Sequence, residues 1–87
     1  MKLVDGIIIS EIDGQYLVVD AGEGRTRFNG IVKLNKSGAY VAELLKNNTT
    51  MERIVADMME HYEISKEVAT DNAQRIIDGF QSAGLLE

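Results

Sequence analysis

The chain contains no cysteine and a single histidine, His61. Without thiols it forms neither a disulfide framework nor a thiolate metal site, and one imidazole with no second histidine does not complete a zinc site. Long apolar runs are also missing. The hydrophobic stretch after Lys2 is broken at once by Asp5 and Gly6, which argues against both a signal peptide and a membrane span. No P-loop, dinucleotide fingerprint, metal-spaced carboxylate cluster or convincing Ser, His and Asp set is present. These absences predict a soluble, cytoplasmic protein that is not an enzyme and carries no cofactor or metal.

What is present suits one small domain spanning residues 1–87. With 87 residues and 45% apolar content, such a domain hides about 60–65% of its unfolded surface, so no second core is expected. The net charge is −5, but it is unevenly spread. Between Gly24 and Lys36 lie Arg25, Arg27, Lys33 and Lys36 without one acid, whereas all fourteen acids share the rest of the chain with five bases. Two readings of this basic island stand: a chance run, or a docking place for an acidic partner.

The stretch Gly30 to Leu45 organises the rest. Val32 and Leu34 alternate with Ile31 and Lys33 as in a strand, and at Asn35, a good N-cap, the apolar period changes from two to 3.6. Val41, Leu44 and Leu45 then form the buried stripe of a first helix, with Tyr40 beside it. Upstream, Ile7, Ile8, Ile9 and Ile12 and then Tyr16 to Val19 read as two strands joined by an Asp13-Gly14 turn. A meander of three strands is the economical arrangement, which leaves Gly30 to Leu34 at an edge with unpaired N–H and C=O groups. The unbroken Ile7, Ile8 and Ile9 run predicts that both faces of the sheet are at least partly apolar.

Two more helices follow. Thr49 with Glu52 has capping-box form, and Thr50 is the alternative cap for a helix whose stripe is Met51, Ile54, Val55, Met58 and Tyr62. The three methionines read as core filler, and His61 as a favourable charge at the helix end. A third helix begins after the cap Ser65, buries Ala69, Ala73, Ile76, Ile77 and Phe80, and stops before Gly84, beyond which Leu85 and Leu86 fold back. Beside that stripe runs another of small or polar character: Val68, Asn72, Arg75 and Gly79. A glycine inside a helix costs about 1 kcal/mol relative to alanine, so Gly79 implies either a binding partner at close approach or a helix–helix contact.

The predicted fold class is α+β, a winged helix-turn-helix-like arrangement with a three-stranded antiparallel sheet followed by three helices. The usual partner of such a fold is DNA. Both later helices are net acidic, however, with Glu52, Asp57 and Glu60 against Arg53, and Glu67, Asp71 and Asp78 against Lys66 and Arg75. That disfavours phosphate contact, and DNA binding or a regulatory interaction stays as the alternative.

The segments LNKSGAYVAELL, TTMERIVADMMEHYEIS and IIDGFQSAGLLE, with FNGIVKLN before them, resemble the PqqD-like family of precursor-peptide recognition domains across the whole chain. The chain departs from the family pattern at Val41 and Ala42, where a bulky residue is common, and at Asn72, where aspartate is usual. The resemblance implies a non-catalytic adaptor that holds the leader segment of a ribosomally made precursor peptide as an extra strand and presents it to a modifying enzyme, often a radical-SAM protein. It places that strand against the third strand and beside the third helix. On this chain the peptide-binding residues would be Arg27, Ile31, Val32, Lys33, Val68, Asn72, Arg75 and Gly79. Precursor peptide and enzyme are the expected partners, with no nucleic acid or membrane.

Overall fold

The computed structural model describes residues 1–20 and 32–87. Strands β1 (Ile7–Ile12), β2 (Gln15–Asp20) and β3 (Val32–Leu34) come first, then helices α1 (Lys36–Leu44), α2 (Met51–Tyr62) and α3 (Lys66–Ser82). The sheet is antiparallel in the order β1-β2-β3. Three strands followed by three helices are what the periodicities predict.

The β1–β2 hairpin follows from its turn. Asp13 and Gly14 both take positive φ, 51° and 79°, which closes a two-residue loop whose twist matches the strands. Register then sorts the side chains by face. Ile9 and Val18 pair on the side facing the helices, where Val18 is buried, while Ile8 pairs with Val19 on the other side, and both of these are exposed. The continuous isoleucine run therefore does put apolar surface on both faces, with Ile8 and Ile12 each about half accessible.

Each helix starts at a side-chain cap. Asn35 accepts from the Gly38 N–H at 2.8 Å, Thr50 from Arg53 at 3.2 Å, and Ser65 from Val68 at 3.2 Å. The α2 cap is thus Thr50, and the expected Thr49–Glu52 box is not the one formed: the third helical residue after Thr50 is Arg53, which has no carboxylate to return the bond. Helix α3 ends as its glycine predicts. Gly84 takes φ 74°, its N–H bonds to the Gln81 carbonyl at 3.1 Å, and the Leu85 N–H reaches back to Phe80 at 2.9 Å, the paired bonds of a Schellman ending.

The core is gathered from all three helices and β2. Val41, Leu45, Ile54, Met58, Ala69, Ala73, Phe80 and Leu85 are essentially inaccessible. Leu44 and Ile76, expected at the centre, are only partly buried and pack against this cluster from its margin. Two residues from before the hairpin take part instead. Leu3 and Val4 are buried, Leu3 donating to the Leu45 carbonyl at 2.9 Å and Val4 to that of Leu85 at 2.8 Å, and Leu3 bridges to Leu86. The ends of the chain thereby clamp α1 and α3 together.

Candidate functional site

Strand β3 has β2 on one side and no described strand on the other. Its main-chain direction follows from the hairpin. In a two-residue hairpin the residues flanking the loop, here Ile12 and Gln15, exchange hydrogen bonds, so Gln15, Leu17 and Val19 direct their N–H and C=O towards β1. Tyr16 and Val18 then bond the other way, to Leu34 and Val32, which they face in register. Lys33, between those two, is left with its N–H and C=O turned to the open edge. It is the residue through which β3 offers backbone hydrogen bonds.

Beside this edge lies a groove of about 260 Å³ between β3 and α3. One wall is Lys33, Leu34, Asn35 and Gly38; the other is Arg75, Ile76, Gly79 and Phe80. Glycine has a physical reason at two points. A Cβ on Gly38 would stand 3.3 Å from Asn35 Oδ1 and 3.4 Å from Leu34, so its absence lets the first turn of α1 close against the end of β3. A Cβ on Gly79 would meet nothing within 4 Å among the described residues. Gly79 is exposed in the groove, so the helix–helix contact that would have explained it is not made by the described residues, and none of them fills the space above it.

Leu34 and Ile76 supply half-buried apolar surface along the groove, and Phe80, almost fully buried, closes it below. Lys33 and Arg75 supply its cations from opposite walls. Arg75 is partly satisfied already, donating to Asp71 one turn earlier at 2.6 Å, with both side chains more than half exposed. An exposed pair of this kind is worth about 0–1 kcal/mol, so a partner carboxylate can compete for the guanidinium.

Of the residues singled out in the sequence, Lys33, Arg75 and Gly79 are brought together here. Val68 and Asn72 lie on the same helical row towards the start of α3, Val68 exposed and Asn72 half-buried, and neither lines the groove. Val32 is in β3 opposite Val18. Arg27 and Ile31, together with Arg25, fall outside the described residues. Leu34, Asn35, Gly38, Ile76 and Phe80 also line the groove and were not among the residues expected there; Phe80 is core as expected, whereas Ile76, expected in the core, is only partly buried. The available signal was that Ile76 sits beside Arg75 on the boundary between the two α3 stripes.

Among the described residues no three His, Asp or Glu side chains gather as a metal site, and no helix is long and apolar enough to cross a membrane.

The family model for Coenzyme PQQ synthesis protein D (PqqD) matches residues 8–86. The chain belongs to the PqqD family. A solved structure of TbiB1 in complex with the TbiA(beta) leader peptide is similar to this PqqD-family chain with a TM-score of 0.76 at 20% identity, covering 100% of this chain and 95% of that one. That likeness is one of fold. No curated protein sequence matches.

Proposed function

We propose that this PqqD-family chain is a non-catalytic adaptor of the cytoplasm that captures the leader segment of a precursor peptide and presents it to a modifying enzyme of the radical-SAM class. The leader adds as a fourth strand to β3, takes its main-chain hydrogen bonds from Lys33, and lays alternate side chains over Leu34, Ile76 and Gly79. The observation that carries this reading is the edge of β3, with no described strand on its outer side, standing beside a groove where a Cβ on Gly79 of α3 would meet nothing within 4 Å among the described residues. Lys33 and Arg75 suit an acidic leader. Support also comes from the family, and from the fold shared with TbiB1, which was solved with a leader peptide bound.

Amide hydrogen exchange tests the binding mode. With a synthetic leader made from a short open reading frame beside the gene, the Lys33 N–H should become strongly protected while the already paired Leu34 changes little. Saturable leader binding that left the Lys33 N–H exchanging at its free rate would overturn strand addition while retaining the adaptor.

A further inference from the structure

Every tyrosine of the chain and its one histidine meet at a second cleft. Tyr16, Tyr40, His61 and Tyr62 line a cavity of about 380 Å³ together with Ile9, Glu11, Lys36, Ala39 and Glu43. The rings are organised. Tyr40 stacks on His61 with centroids 4.2 Å apart and planes 14° from parallel, and Tyr62 stands edge-on to both at 5.5 and 4.6 Å. Tyr40 is anchored by its hydroxyl, which donates to the Asp57 carbonyl at 3.5 Å.

This cleft is separate from the groove at β3. Tyr16 and Leu34 are cross-strand neighbours, yet Tyr16 faces the cleft and Leu34 the groove; likewise Ala39 lines the one and Gly38 the other. The first turn of α1 is the partition between them. Tyr40 and Tyr62 pack against the core from its margin, yet both remain only half-buried and line the cavity with Tyr16 and the exposed His61.

The local charge points to what would enter. Glu11 and Glu43 line the cleft against Lys36, and Asp57 and Glu60 stand behind Tyr40, whose pKa is raised by burial first and then by Asp57, Tyr62 and Glu60. Glu43 also meets Lys46 at 3.1 Å, but both ends of that pair are more than half exposed, so it is easily exchanged. Aromatic faces and carboxylates together attract a flat cation, which stacks on a ring while donating to oxygen.

We infer that the Tyr16, Tyr40 and Tyr62 cleft receives an arginine side chain of a protein partner, which docks on the side of α1 away from the β3 groove. The inference rests on the chemistry of the cleft alone and holds whether or not β3 takes a leader peptide.

An NMR titration of the full chain with N-acetyl-arginine methylamide, at matched ionic strength, tests it against the neutral citrulline counterpart. Saturable shifts are expected at Tyr16, Tyr40, His61 and Tyr62, with Gly79 in the groove unmoved, and citrulline should bind at least fivefold more weakly. The double variant Glu11→Gln and Glu43→Gln should lose about fivefold in affinity for the arginine compound, and Tyr40→Leu should abolish its response. Equal responses to the two compounds, shifts that never saturate, or shifts that survive Tyr40→Leu would overturn the site. If Tyr40→Leu does not keep the parent's amide spectrum, the double carboxamide variant decides, since both its side chains are exposed: unchanged affinity for the arginine compound then overturns it.

Discussion

Replacing Gly79 separates stability from binding in a way few positions permit. The residue lies within α3, takes no positive φ, is exposed, and an added Cβ would meet nothing within 4 Å among the described residues. Gly79→Ala therefore removes backbone freedom from the unfolded chain without a clash, and should stabilise by about 0.5–1 kcal/mol. For a domain of this size that is a rise in Tm of about 2–8 °C. Gly79→Leu should keep most of the gain, because leucine also favours helix, but its side chain would occupy the 260 Å³ groove beside Leu34 and Ile76. Leader binding should then fall at least about tenfold, a loss of about 1.4 kcal/mol. Calorimetric melting and peptide titration on the same three proteins provide the comparison. A Tm that drops in Gly79→Ala would show that something already packs against this glycine, and full affinity in Gly79→Leu would show that the leader does not lie over it.

Three further outcomes follow from the same geometry. Leu45→Ala should cost about 2–5 kcal/mol, since Leu45 is fully buried, whereas the half-buried Leu44→Ala should cost clearly less in chemical denaturation; equal costs would contradict the assigned faces of α1. Lys33→Pro removes the N–H that faces the open edge and should weaken leader binding far more than Lys33→Ala, in proteins whose circular dichroism matches the parent; equal losses would count against strand addition. Lys33→Glu should slow association with an acidic leader more than it speeds dissociation, and salt well above about 0.15 M should erase most of the difference, so a parent on-rate indifferent to salt would refute steering by this cation.

Local chemistry was the legible part of the fold. The Asp13-Gly14 turn, the Asn35 and Ser65 caps and the Gly84 ending depend on neighbours a few residues away, and each is formed as expected. Leu3 and Val4 were not legible, because the partners of their N–H groups are the distant carbonyls of Leu45 and Leu85, and nothing in a short run of sequence distinguishes a clamp from a tail. Leu44 and Ile76 show a second limit. A helical stripe has an angular width, and periodicity does not say which edge of it a neighbouring element leaves uncovered. At Ile76 the uncovered edge is the groove itself, so the same residue counted as core in the sequence and lines the candidate site in the structure.

An open edge strand beside an apolar groove invites pairing with any extended chain, including a second copy of the same protein. The position of Lys33 bears on which pairing wins. It is the middle residue of β3, it lines the groove, and its main-chain groups face the side on which no described strand pairs. Two copies meeting antiparallel along β3 would bring their Lys33 side chains close together, with Arg75 near each, and like charges opposed across strands are destabilising. An acidic strand in the same place meets complementary charge instead. The surrounding chain is itself acidic, at a net −5, so an acidic leader gains only where local cations outweigh that background, within a screening distance of about 8 Å at physiological salt. If a leader adds at this edge as proposed, the lysine that discourages self-pairing would also narrow the set of strands that can add, and selectivity would come from which partners the edge repels as much as from the hydrogen bonds it offers.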